Sequence, residues 1–150
     1  MKKSMSMVDV SKKPEVYREA TAKGLIRLKA ETIKLVKEGK IEKGNPFDAA
    51  KIAGVLAAKK TSSLIPLCHP LPLTDVKISM ETIGYSWIEV TATVKTKAQT
   101  GVEMEALVAV TTALLTIWDM TKQYEKDKKG QYPYTLIQNV HVARKVKGSG

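Results

Sequence analysis

The stretch "TDVKISMETIGYSWIEVTATVKT", residues 74–96, decides the fold. Apolar and polar side chains alternate on both sides of Gly84. That period of two marks a half-buried strand, because successive side chains point to opposite faces of a sheet. Two such runs meeting at a glycine read as an antiparallel hairpin. One face of the hairpin is apolar and needs cover, which helices elsewhere in the chain can supply.

Towards the N-terminus, "YREATAKGLIRL" (17–28) is partly alternating and reads as another strand, though Gly24 is an awkward residue for one. "KAETIKLVKEGK" (29–40) sets Ile33, Leu35 and Val36 among charges and closes on Gly39, a helix stop. Asn45 is a favoured N-cap and Pro46 a favoured first helical residue, so a helix is expected from Pro46 to Lys60. Its apolar face would hold Phe47, Ala50, Ala53, Leu56 and Ala57. Towards the C-terminus, residues 99–130 form a long helix with Thr100 as cap and Glu103 completing a capping box. "YPYTLIQNVHVARKV" (132–146) reads as a closing strand. The order β-α-α-β-β-α-β predicts an α+β protein: a ferredoxin-like antiparallel sheet with helices packed on one face and one extra helix. A single domain over 1–150 is expected, with flexible ends at 1–6 and 146–150.

Composition narrows the class. A hydrophobic share of 43% with 27% charged residues is ordinary for a globular domain. No uninterrupted apolar run approaches the roughly 20 residues of a membrane span. Met1-Lys2-Lys3-Ser4 leads into no apolar segment of a secretory signal. One cysteine excludes an internal disulfide and a cysteine-rich metal site. The expectation is a soluble, cytoplasmic protein without a membrane partner. The net charge of +10 is uneven: +6 over residues 1–43, −1 over 44–120 and +5 over 121–150. One Phe and two Trp offer little for base stacking, which argues against nucleic acid as partner. A basic field would still attract a polyanionic small molecule.

Within the neutral middle lies "LIPLCHPLPLT" (64–74), with Cys68 and His69 between prolines. Proline removes backbone donors and fixes φ, so this strip is neither an ordinary helix nor a central strand. "GVLAAKKT" (54–61) superficially resembles a phosphate loop, but it lies inside a predicted helix whose amides are already bonded. From Ala106 to Met120 only Thr111, Thr112, Thr116 and Asp119 interrupt an apolar run, so burial on all sides is expected. Buried Asp119 would need a partner, and Lys122 stands three residues on, on the same side. Glu103, Met104 and Glu105 open the same helix, where acids also compensate the helix dipole. Glu105 and Asp119 lie roughly 21 Å apart along the axis. If both ends serve one site, a second chain must bring its helix alongside, antiparallel.

"MVDVS" (7–11), "GVLAAKKTSSLIPLCHPL" (54–71) and "TGVEMEALVAVTTALLTIWDMTK" (100–122) together resemble the cyclic pyranopterin monophosphate synthase family of molybdenum cofactor biosynthesis. The resemblance implies conversion of 3′,8-cyclo-7,8-dihydro-GTP into cyclic pyranopterin monophosphate with release of diphosphate, a phosphorus–oxygen lyase step. It implies a hexamer built as a trimer of dimers, with sites at subunit interfaces. It places catalytic roles on Asp119 and Lys122, with Lys43 and Lys59 also in the pocket. Leu67, Cys68, His69, Met104 and Glu105 would contact substrate. The chemistry is redox-neutral, so no cofactor is expected. Magnesium can travel with the triphosphate, but no carboxylate cluster argues for a protein metal site. Lysines beside other cations suit proton shuttling, and that work falls to Lys59 and Lys122. Asp119 would orient Lys122, while Lys43 and His69 would neutralise the triphosphate. Cys68 has no evident partner for nucleophilic work and is read as a packing or main-chain contact. Two other classes compete with the enzyme: a basic nucleic-acid module and a purely structural oligomeric subunit.

Overall fold

The computed structural model describes residues 3–148. The chain runs β1 (Val16–Arg27), α1 (Ala30–Lys37), α2 (Pro46–Lys59), α3 (Thr61–Leu64), β2 (Leu73–Ile83), β3 (Trp87–Ala98), α4 (Glu103–Glu125) and β4 (Leu136–Lys147). The four strands form one antiparallel sheet in the order β2-β3-β1-β4, the ferredoxin-like arrangement.

The hairpin forms as its alternation requires. Ile83 pairs with Trp87, and Gly84 takes φ +60° in the three-residue turn, a conformation glycine adopts without a Cβ clash. On the helix side of the sheet, Ala20, Ala22 and Ile26 of β1 lie beside Val94, Ala92 and Ile88 of β3, all fully buried. Gly24 completes this row. A Cβ there would stand 2.8 Å from Leu114, 2.9 Å from Val140 and 3.0 Å from Val110, so the glycine lets α4 settle onto the sheet.

The cover is α2 and α4, packed on each other and on the sheet. The Asn45 side chain accepts from the N–H groups of Phe47 and Asp48, and Pro46 opens α2 as expected. Leu56, expected on the buried face, is exposed, while Gly54 and Ala58 are buried. Gly54 sets the closeness, since a Cβ there would lie 3.1 Å from the Ala109 carbonyl oxygen. Beyond the expected extra helix α1, the short α3 is also present. Lys60 leaves helical geometry at ψ 10°, and the Thr61 hydroxyl donates to the carbonyls of Ala57 and Ala58, starting a new turn.

Three further expectations are corrected. Thr100 does not cap α4: Val102 precedes the helix, with no side-chain cap hydrogen bond. The helix ends at Glu125, where Lys126 turns extended, rather than continuing to residue 130. Strand β4 runs through Lys147, which pairs with Arg18, so residues 146 and 147 are held in the sheet rather than forming a flexible end. Residues 3–6 carry no regular structure and are exposed, while 1–2 and 149–150 lie outside the described residues.

Helix α4 is long and apolar enough to cross a bilayer by length and composition. It instead lies on the sheet, and only one side of it is buried. Ala106, Ala109, Val110, Ala113, Leu114 and Ile117 face the core. The opposite side is not covered: Met104 and Leu115 are exposed, and so are Ile52 and Leu56 on α2. All-round burial, expected from composition, is therefore not reached within one chain.

Candidate functional site

Ionisable groups collect at both ends of α4. At its C-terminal end, Lys122 Nζ lies 3.1 Å from Asp119 Oδ1, one turn along the helix. Lys43, from the α1–α2 loop, donates to the Asp119 backbone oxygen at 2.9 Å and to Oδ2 at 3.3 Å. The lysine hydrogen bonds, that from Lys122 first, hold the Asp119 carboxyl below its ordinary value of 3.8. Asp119 is exposed, not buried as its apolar neighbours suggested, so water shares in satisfying it.

At the N-terminal end stands the proline strip. An open cleft of about 470 Å³ lies between the N-terminal segment, the strip and the start of α4, with Val8, Leu67, Cys68, His69, Gly101 and Met104 among its walls. His69 Nε2 and the Val8 carbonyl oxygen are 2.7 Å apart, which fixes the ring and names Nε2 as the protonated nitrogen of that contact. This contact joins residues 61 positions apart, beyond any spacing rule. Glu105 is 3% exposed, and its Oε1 has no hydrogen-bond partner. Burial pushes its carboxyl above the ordinary 4.5. Cys68 Sγ lies 3.9 Å from Glu105 Oε2, and burial, then the nearby Glu105, raises the thiol as well. A thiol raised in this way is a poor nucleophile.

Lys59 closes α2 and is exposed. Helix α2 runs antiparallel to α4. Lys43, just before it, reaches Asp119; Gly54 lies against Ala109; and Leu64 and Ile65, just after it, share a groove with Met104 and Leu107. Lys59 therefore belongs to the end that carries Cys68, His69, Met104 and Glu105. One chain thus brings the nine expected residues together in two groups rather than one. Lys43, Asp119 and Lys122 form the first; Lys59, Leu67, Cys68, His69, Met104 and Glu105 lie at the other end. The groups are separated by roughly 21 Å, the rise over 14 helical residues. Among the described residues, no three His, Cys, Asp or Glu side chains cluster as metal ligands.

The fold and these groups define a ferredoxin-like α+β protein with a split set of lysines, acids and one histidine along a single core helix. Residues 7–148 match the MoaC family. The chain is 60% identical over 145 residues to a probable cyclic pyranopterin monophosphate synthase of Pyrococcus horikoshii, covering 97% of this chain and 91% of that protein. A protein of the same description from Pyrococcus furiosus is 59% identical, covering 97% and 92%. One from Saccharolobus solfataricus is 54% identical over 147 residues, covering 98% of each. The chain belongs to the MoaC family.

Proposed function

We propose that this chain is a cyclic pyranopterin monophosphate synthase of molybdenum cofactor biosynthesis. It converts 3′,8-cyclo-7,8-dihydro-GTP into cyclic pyranopterin monophosphate and diphosphate. Membership of the family and identities of 54–60% to proteins so named support the activity. The observation that carries the site is the split along α4: three groups at one end, six at the other, with uncovered apolar side chains between. Leu64, Ile65, Met104, Leu107, Val108 and Thr111 line an open groove of about 350 Å³ on that side. A second copy laid antiparallel over this face covers it. It also sets the Lys43–Asp119–Lys122 group of one chain beside the Lys59–His69 group of the other. Such dimers assemble as a trimer, giving a hexamer in the cytoplasm, with neither nucleic acid nor membrane as partner.

In this site Lys43 and His69 neutralise the triphosphate. A ribose-derived hydroxyl attacks the innermost phosphorus, its proton leaves to a lysine, and the bond to diphosphate breaks. Ring opening and reclosure need further proton transfers, which fall to Lys59 and Lys122, with Asp119 orienting Lys122. Leu67, Cys68, Met104 and Glu105 form the wall against the ring system. The prolines hold that wall still, which matters for a reactive intermediate that must not drift. The overall reaction is redox-neutral, so the residues act without a cofactor; magnesium, where used, arrives on the phosphates.

The test supplies the cyclised dihydro-GTP and measures pterin and diphosphate; a wild-type protein that makes neither overturns the reading. Site sharing has its own test. Lys59→Ala and Asp119→Asn proteins, each inactive, are unfolded together and refolded as a mixture. Mixed dimers then rebuild one intact site each, returning about one quarter of wild-type sites. Absence of recovery overturns the shared site.

A further inference from the structure

The loop carrying Lys43 is fastened to the last turn of α4, just beyond Lys122. The Glu42 backbone N–H donates to the Tyr124 hydroxyl at 2.8 Å. The Gln123 side-chain amide donates to the Glu42 carboxylate at 2.9 Å. The next residue, Lys43, then meets Asp119. Within the loop the Gly44 N–H donates to the Ile41 carbonyl at 3.0 Å, a turn that shapes residues 41–44 without tying them to α4. Gly39 and Gly44 flank it at φ +68° and +118°, and residues 42–45 are exposed. Ile41 alone among residues 40–45 is buried. Glycines on both sides leave the backbone many alternatives, and a lysine side chain adds its own rotamers.

We propose that Tyr124, with Gln123 beside it, is a positioning residue for Lys43, fixing the loop backbone so that the ammonium meets Asp119. The proposal rests on the reading of Lys43 and Asp119 as parts of the substrate site. The chemistry of the two anchors suits the task. A phenol accepts the Glu42 N–H without adding a charge, so it does not compete for Lys43. Glu42 adjoins Lys43 in the chain and is its natural rival carboxylate; the Gln123 amide engages that rival. Asp119 is then left to the two lysines. Tyr124 and Gln123 reach Glu42 rather than Asp119, so each acts through Lys43.

A double-mutant cycle tests this. Tyr124→Phe keeps the ring and removes the hydroxyl. It is expected to lower kcat/KM about tenfold in the wild-type background, the worth of one well-placed hydrogen bond. In a Lys43→Ala background the same change is expected to alter kcat/KM less than about twofold, because there is no ammonium left to position. Gln123→Ala, milder and on the surface, is expected to show the same dependence with a smaller loss. Carbon-13 NMR titration of the Asp119 carboxyl gives a readout independent of turnover. Tyr124→Phe raises its pKa towards the ordinary value, and Lys43→Ala abolishes any further rise. Equal losses in both backgrounds, or an Asp119 titration unmoved by Tyr124→Phe, overturn the proposal. A protein without turnover but with the coupled titration would sink the enzymatic reading and leave the positioning role standing.

Discussion

Asp119 and Lys122 sit one turn apart on α4 with their charged atoms 3.1 Å from each other, in the open rather than in the core. An exposed ion pair contributes little to folding, so a role in stability does not account for it. Asp119→Asn is expected to cost about 10²-fold or more in kcat, through loss of the group that orients the lysine. The melting temperature should hardly move. The lysines lower the Asp119 pKa, so its pairing is present above the unfolded value and is lost only as pH falls through the depressed folded one. Activity of the wild type should therefore show no acid limb from this carboxyl near 3.8. Rate measurements across pH on both proteins check this.

Glu105 behaves in the opposite sense. Burial raises its pKa above 4.5, so the folded state holds the proton more tightly than the unfolded chain. Stability from this group is complete below about 4.5 and is lost as pH rises through the raised value. Glu105→Gln has no charge to bury. Urea unfolding across a pH series should find the variant gaining on the wild type as pH rises, and a constant difference would refute the buried-acid reading.

Glu125 is fully buried at the end of α4. It accepts from the Lys29 backbone N–H, from the Thr32 hydroxyl and from the Thr135 hydroxyl, the last at 2.6 Å. It ties α1 and the approach to β4 to one carboxylate. Glu125→Ala leaves three donors without their acceptor and should cost about 3 kcal/mol in urea unfolding. A loss below about 0.5 kcal/mol, as for an ordinary surface change, would contradict this.

At Gly54 two effects compete. Alanine favours a helix by about 1 kcal/mol over glycine. A Cβ there would, however, overlap Ile78 Cδ1 and press on the Ala109 carbonyl oxygen at 3.1 Å. Overpacking of this kind costs about 1–3 kcal/mol, so Gly54→Ala should destabilise on balance. Ile78→Val removes the overlapping methyl and should cost less in the Gly54→Ala background than alone. Additive losses in thermal or urea unfolding would show that Ile78 is not the obstacle.

The sheet was legible because its signals are local. Alternation about Gly84, and the Asn45–Pro46 pair, act within a few residues and survive in the structure unchanged. Asp119 and Lys122 were joined by helical spacing alone. Lys43 was not, since 76 positions separate it from Asp119, and only the family resemblance placed it in the site. Glu125 could not be singled out: "QYEKDKK" reads as a solvated charge run, and its partners lie off the helix, Thr32 at 93 positions and Thr135 at 10. Burial of α4 was overestimated because composition does not tell which side meets the sheet. The apolar surplus on the other side is the face that the proposed second copy would cover.

The strand order has a consequence for synthesis. Of the four strands β1 leaves the ribosome first, yet it lies in the middle, between β3 and β4. Until residue 87 emerges, neither of its edges has a neighbour, and the second stays open until residue 136. Such distant pairings slow the search for the native state. The nascent chain carries an unsealed β1 until β4, the latest of these four strands, has been made.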